Sequence, residues 1–201
     1  GPIGPTGNAG GPGAIGPTGN EGATGPTGES GPGGPGSSFP AGVKVTMYDG
    51  SVKNIEDVIL GDVVKSLKIT GMPDQSDQRA GFTKWWNWEE DFITFDSTGA
   101  TSEVEGIHQV LVPSGYYKIT TSNSIVLLVT SNHSVLIRRD GVVKWVTVSE
   151  LILTDEFYTQ DREWVGINTV EVILGDTVVY DLDVENEDVF YVEGILVHNK
   201  M

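Results

Sequence analysis

Glycine stands at every third position from Gly1 to Gly34, which gives twelve triplets without an interruption. Only glycine fits at the crowded axis of a collagen triple helix, so this period has a mechanical reason. A flexible Gly/Pro-rich linker is the alternative, but a linker needs no period of three. We therefore predict a collagen-like segment over 1–37, which forms a homotrimer through residues 1–36. Twelve triplets alone make a weak trimer, so we expect further repeat upstream or a separate trimerising domain.

Residues 38–199 follow a different pattern, in which short apolar runs rich in Val and Ile alternate with turn signals. The dipeptides Asp49-Gly50 and Asp140-Gly141 are typical of β-hairpin turns. Helical periodicity is almost absent, and only 54–58 and 148–151 are expected to form single helical turns. The pattern predicts an all-β domain of many short strands that is large enough to bury a core.

The stretch 70–100 fits this pattern least well. Its first part, 71–78, is polar and is expected to be a loop, and it is followed by tryptophans at 85, 86 and 88. Such a cluster more often packs an insertion onto a domain than forms a binding face. An exposed aromatic patch would favour the binding face instead. We therefore treat 70–100 as an insertion or variable loop.

Charge and composition exclude several classes of function. The net charge of −16 argues against a nucleic-acid partner, because phosphate binding needs a cationic face. The absence of cysteine removes disulfides, thiolate metal sites and a cysteine nucleophile. No apolar run reaches the roughly 18 residues of a membrane span. We expect no cofactor, no metal and no membrane partner.

The two ends of the β domain carry reactive groups. Ser38 offers a hydroxyl nucleophile at one border, and His198-Asn199 lies at the other. The side-chain amide of Asn199 can attack the peptide bond that follows it and form a succinimide. Few chemistries other than self-processing place reactive groups at the two borders of one domain.

Four segments in order give the β domain a resemblance to a known family. They are 38–64, which contains Ser38-Phe39-Pro40-Ala41-Gly42; 129–136, with the pattern Thr-x-x-His; 145–156; and 179–199, which ends in His198-Asn199. Together they resemble the Hint family, which comprises inteins, bacterial intein-like domains and hedgehog autoprocessing domains. The resemblance implies a horseshoe-shaped all-β fold that brings its two ends together. There is no room for a homing endonuclease, so a mini-intein or related type is implied.

The resemblance also implies roles at the first end of the domain. Ser38 would attack the carbonyl of Ser37 in an N-to-O acyl shift, which turns the amide into an ester. A serine hydroxyl is a weak nucleophile and needs help. His133 fits the general acid/base task, and Thr130 would hold the carbonyl oxygen or orient the imidazole.

At the second end, Asn199 would cyclise and cut the bond to Lys200, with His198 as its proton partner. Asp181 matches a family position that couples the two ends and shuttles protons. Splicing needs Cys, Ser or Thr after the asparagine, so Lys200 predicts that the flanks are not ligated. Asp188 stands about where many inteins place an additional histidine, and an anionic carboxylate is a poorer proton donor.

The sequence leaves two alternatives open. Cysteine is more usual at the Ser38 position, so Ser38 is either natural or a replacement for a cysteine that would perform an N-to-S shift. The domain is either a self-processing unit that cleaves its own flanking segments, with 200–201 as a C-terminal flank, or a catalytically silent tip of a trimeric fibre. His108 matches no family position. The collagen-like repeat suggests a virion protein such as a phage tail fibre, or a cell-surface protein.

Overall fold

The computed structural model describes residues 1–4, 38–70, 72, 88–90, 94–95 and 99–199. The predicted collagen-like segment beyond residue 4 and the flank 200–201 therefore lie outside the described residues. The described part of the chain forms seventeen strands and two short 3-10 helices, and it contains no α-helix. This confirms the all-β prediction. The described residues include no helix that is long and apolar enough to cross a membrane.

The strands are short except for three that run through the centre of the sheets. In chain order they are β1 (Phe39–Pro40), β2 (Lys44–Thr46), β3 (Val52–Asn54), β4 (Val63–Ser66), β5 (Ile69–Thr70), β6 (Glu89–Glu90), β7 (Thr94–Phe95), β8 (Ala100–Val112), β9 (Tyr116–Thr121), β10 (Val126–Val129), β11 (Ser134–Arg139), β12 (Val142–Thr147), β13 (Glu156–Tyr158), β14 (Trp164–Ile173), β15 (Thr177–Val184), β16 (Val189–Val192) and β17 (Ile195–His198). The 3-10 helices Ile55–Asp57 and Val148–Glu150 lie where the sequence predicts single helical turns.

Two sheets contain nearly all of these strands. The smaller has the order β1-β15-β8-β4, and the larger has the order β10-β9-β14-β13-β11-β17-β16-β2-β3, with β12 paired to β11 and to β6. Strands β5 and β7 form a separate pair. The first strand of the domain is thus an edge strand of the smaller sheet. The last strand, β17, lies inside the larger sheet between β11 and β16.

Turn chemistry at the predicted hairpins explains two of the connections. Arg139 and Val142 are paired in the β11–β12 ladder, so the loop is the dipeptide Asp140-Gly141 alone. Both residues have positive φ, at 52° and 87°, as a type I′ turn requires. The β2–β3 connection contains Gly50 at φ 84°. Both hairpin predictions are confirmed.

The core consists of two clusters of buried side chains. The larger one includes Phe39 of β1 and Phe190 of β16, together with residues from both sheets. The smaller one combines aliphatic side chains with aromatic ones that include Trp88, Trp145 and Tyr191. Trp88 is 7% exposed, which agrees with packing rather than a free binding face at that position. Tryptophans 85 and 86 lie outside the described residues.

Candidate functional site

Ser38 is anchored to Thr130 through both of its backbone polar groups. The Ser38 N–H donates to Thr130 Oγ1 at 2.7 Å, and the Ser38 carbonyl oxygen accepts the Thr130 N–H at 2.9 Å. Both residues are buried, and Ser38 is fully so. The Thr130 hydroxyl therefore contacts the nitrogen of the Ser37–Ser38 peptide bond. The sequence pattern did not indicate this contact.

His133 lies three residues further on, in the turn that leads into β11. Its N–H donates to the Thr130 carbonyl at 3.3 Å, and its own carbonyl accepts the Val148 N–H at 3.0 Å. The imidazole ring centre is 4.3 Å from the ring centre of Phe39. The two backbone contacts fix a buried imidazole beside the residue that follows Ser38.

Asp181 reaches the same region from β15. The β1–β15 register pairs Phe39 with Tyr180, so one step further along the ladder places Ser38 level with Asp181. The Asp181 carboxylate is buried and accepts the N–H of Leu182 at 2.8 Å. On the other side of β15, the register pairs Asp181 with His108 of β8. His108, which matches no family position, is thus a direct cross-strand neighbour of Asp181.

His198 ends β17 with its ring turned towards the bond after Asn199. Its Nδ1 lies 2.9 Å from the Asn199 carbonyl oxygen, which belongs to the Asn199–Lys200 peptide bond. Burial lowers the pKa of His198 from 6.5 to about 4, and the contact with Asn199 offsets this only in part. The ring is therefore neutral near pH 7. A neutral imidazole donates to that carbonyl only as the tautomer that carries its proton on Nδ1.

The Asn199 side chain is surrounded by acceptors. Its Nδ2 lies 3.1 Å from Asp183 Oδ1, 3.1 Å from Asp188 Oδ1 and 3.4 Å from the Val184 carbonyl oxygen. Its backbone N–H also donates to the Asp188 carbonyl at 2.7 Å. Asp183 is a site residue that the sequence pattern alone does not indicate. The available signal was strand alternation, which puts Asp183 on the same face of β15 as Asp181.

Two registers bring the ends of the domain together. Along β15, Asp181 is level with Ser38 and Asp183 contacts Asn199, two residues apart and so about 7 Å along the strand. Between β11 and β17, Val135 pairs with Val197, and two further steps place His133 level with Asn199. The structure therefore collects all six predicted site residues in one buried region: Ser38, Thr130, His133, Asp181, His198 and Asn199.

This region offers hydroxyl, imidazole, carboxylate and amide groups that are shielded from water. Such an arrangement can move protons and acyl groups between neighbouring atoms. Among the residues that the structure describes, no group of three or more His, Cys, Asp or Glu side chains is placed to hold a metal ion.

No protein-family model matches the chain. A DNA polymerase of Thermococcus aggregans is 27% identical over 167 residues, which are 79% of this chain and 9% of the polymerase. The matching part of the chain thus spans a small fraction of that protein's length.

Solved structures give a consistent picture of the fold. The bacterial intein-like domain from Clostridium thermocellum matches with a TM-score of 0.60 at 16% identity, over 81% of this chain and 99% of that domain. The DnaB intein from Synechocystis sp. PCC 6803 matches with a TM-score of 0.57 at 16% identity, over 82% and 99%. The gp41-1 intein matches with a TM-score of 0.56 at 19% identity, over 82% and 99%. The predicted Hint fold is confirmed.

Proposed function

We propose that this Hint-fold domain is a self-processing, intein-like domain that breaks the peptide bonds at its own two ends. One observation carries the proposal. Ser38 and Asn199, the two residues whose side chains would attack those bonds, are both buried and both lie against the single strand β15. The similarity to inteins supports the fold, and the site geometry supports the chemistry.

In the first step, the Ser38 hydroxyl attacks the Ser37 carbonyl carbon. The new ester bond forms as the bond to the Ser38 nitrogen breaks, and that nitrogen becomes a free amine. His133 takes the hydroxyl proton and supplies a proton to the leaving amine. Thr130 Oγ1 accepts a hydrogen bond from that same nitrogen and so holds the leaving group in place. Asp181, level with Ser38, is the carboxylate that couples this end to the other.

In the second step, Asn199 Nδ2 attacks the Asn199 carbonyl carbon. A succinimide forms, the bond to Lys200 breaks, and the segment that begins with Lys200 is released with a free amine. The contact of His198 Nδ1 with the carbonyl oxygen suits it to stabilise the negative charge that develops there. Because a lysine follows Asn199, the ester at Ser38 has no acceptor for transfer. The products are then cleaved flanks rather than a spliced chain.

The same proposal extends to the context of the domain. Cleavage at Ser38 would separate the domain from the collagen-like segment, and that segment would hold three copies together before the cut. A virion fibre or a cell-surface fibre is the setting that this arrangement suits. The flanking segments are the substrate, and the reaction turns over once per chain.

The test is the intact mass of the fresh protein, measured again after incubation with hydroxylamine, which cuts esters and spares amides. We expect a fragment that begins at Ser38. This fragment should be absent from Ser38→Ala and His133→Ala and present in the control Ser114→Ala, which changes an exposed serine far along the chain.

The absence of any such fragment would support the alternative, a catalytically silent tip domain of a trimeric fibre. Under that alternative, every variant keeps its full-length mass with and without hydroxylamine. Replacement of Ser38 by cysteine then shows whether a stronger nucleophile restores cleavage.

A further inference from the structure

The nucleophile of the second step lies between two carboxylates. Asn199 Nδ2 is 3.1 Å from one oxygen of Asp183 and 3.1 Å from one oxygen of Asp188. The two N–H groups of this amide therefore face two carboxylates and, at 3.4 Å, the Val184 carbonyl oxygen, so both donors are used. The family resemblance describes Asp188 only as a poor proton donor. The geometry favours a different role, that of a proton acceptor, because the neighbouring Asn199 Nδ2 must lose a proton.

The orientation of the amide follows from charge. Ionised carboxylates only accept hydrogen bonds, so they attract the NH2 group and repel the amide oxygen. A flipped amide would place Asn199 Oδ1 against two anions. The two carboxylates thus fix Nδ2, rather than Oδ1, as the atom at their side of the cavity.

Asp188 adopts an uncommon backbone conformation at this position. Its φ is 53°, in the left-handed region where Asp and Asn are enriched among residues other than glycine. Its carbonyl oxygen accepts the Asn199 N–H at 2.7 Å, and its neighbour Val189 pairs with His198. Uncommon conformations of this kind cluster at functional sites, where the surroundings enforce them. Here the conformation brings both the backbone and the side chain of Asp188 to Asn199.

We propose that Asp188 is the general base of Asn199 cyclisation and that Asp183 holds the second N–H of the amide. This inference rests on the proposed function. The nitrogen orbital that attacks the carbonyl carbon is perpendicular to the amide plane, whereas both N–H bonds lie in that plane. The carboxylates can therefore keep their hydrogen bonds while the attack proceeds.

The step balances in atoms and charge. A bond forms between Nδ2 and the Asn199 carbonyl carbon, and the bond from that carbon to the Lys200 nitrogen breaks. One proton passes from Nδ2 to the Asp188 carboxylate. The leaving amine takes up one proton, which the newly formed carboxylic acid can return. No further reactant is needed.

The experiment follows the release of residues 200–201 from the full chain by intact mass over time. In Asp188→Asn we expect the rate to fall about 100-fold, the scale of general acid–base catalysis. Asp188→His should recover part of the rate, because it restores a base, and both Asn and His tolerate positive φ. Glu185→Gln, which removes an exposed negative charge from the same turn, should match the parent.

A second readout does not depend on cleavage. Hydrogen exchange of the Asn199 side-chain NH2, followed by NMR, should be faster in Asp188→Asn than in Glu185→Gln, because one of its two charged acceptors is lost. A release rate in Asp188→Asn within twofold of the parent would overturn the role of Asp188 as the base, and unchanged exchange would overturn its hydrogen bond to the amide.

The two proposals fail in different ways. A parent chain that forms the hydroxylamine-sensitive ester but keeps residues 200–201 overturns the Asp188 proposal and leaves the acyl shift standing. A parent chain that shows neither ester nor release removes the proposed function itself. Normal release in both the parent and Asp188→Asn supports self-processing and overturns only the assignment of the base.

Discussion

Acid should destabilise this domain through His198, and replacement of His198 by glutamine should remove that part of the effect. His198 is buried against Trp145, with ring centres 5.1 Å apart. Burial lowers its pKa from 6.5 to about 4 in the folded protein. Between these two values the unfolded chain binds a proton that the folded chain does not. The free energy of unfolding therefore falls as the pH falls through this window.

The size of the effect follows from the same two values. One pKa unit corresponds to about 1.4 kcal/mol, so the difference between the folded and unfolded states is worth about 3 kcal/mol. The contribution is fully present above pH 6.5 and is lost by about pH 4. This is a large share of the stability of an ordinary domain.

Urea unfolding followed by tryptophan fluorescence at about pH 7.5 and about pH 4 measures the effect. Carboxylates also titrate in this range, so the parent is compared with His198→Gln, which shares them. We expect the parent to lose about 3 kcal/mol more than His198→Gln between the two pH values. Equal losses would refute the reasoning, and so would an NMR titration in which the His198 ring protonates near 6.5.

Two further predictions concern the surroundings of the site. In Gly106→Ala, the added Cβ would lie 2.9 Å from Asp183 Cβ, so we expect slower release of residues 200–201 and a loss of about 1–3 kcal/mol in urea unfolding. Gly166→Ala, whose Cβ would meet nothing closer than 3.9 Å, should change neither quantity. Asp155→Asn removes the charge of a buried carboxylate that pairs with the partly exposed Arg139, whose nitrogens lie 2.6 Å and 2.8 Å from the carboxylate oxygens. We expect the free energy of unfolding to fall by about 2 kcal/mol, and an unchanged urea midpoint would contradict this.

Local features of the fold were predictable because their signals are local. The turn at Asp140-Gly141 needs two residues of positive φ, and that dipeptide supplies them. The single helical turn Val148–Glu150 is stabilised by a capping box between Thr147 and Glu150. The whole motif lies within the four consecutive residues 147–150. Signals of this kind do not depend on the rest of the chain.

The composition of the site was predictable only in part, because it depends on the register of distant strands. Family resemblance supplied Ser38 and Asn199, but nothing near Asp183 in the sequence shows that it meets Asn199. That contact is made by the residue that follows β17, which reaches β15 in the other sheet. The pairing of His108 with Asp181 is likewise a property of the β8–β15 register.

The anchoring of Ser38 has a mechanical consequence. Two hydrogen bonds to Thr130 hold Ser38, and a two-residue ladder to β15 holds the strand β1 that follows it. The preceding chain joins the domain at this anchored residue. Tension applied along β1 acts parallel to this ladder, so its hydrogen bonds resist in shear and share the force. The force is then borne by the Ser37–Ser38 peptide bond, the bond that the proposed acyl shift would open. In the fibre that we propose, the bond that carries the tension would also be the bond that the acyl shift opens.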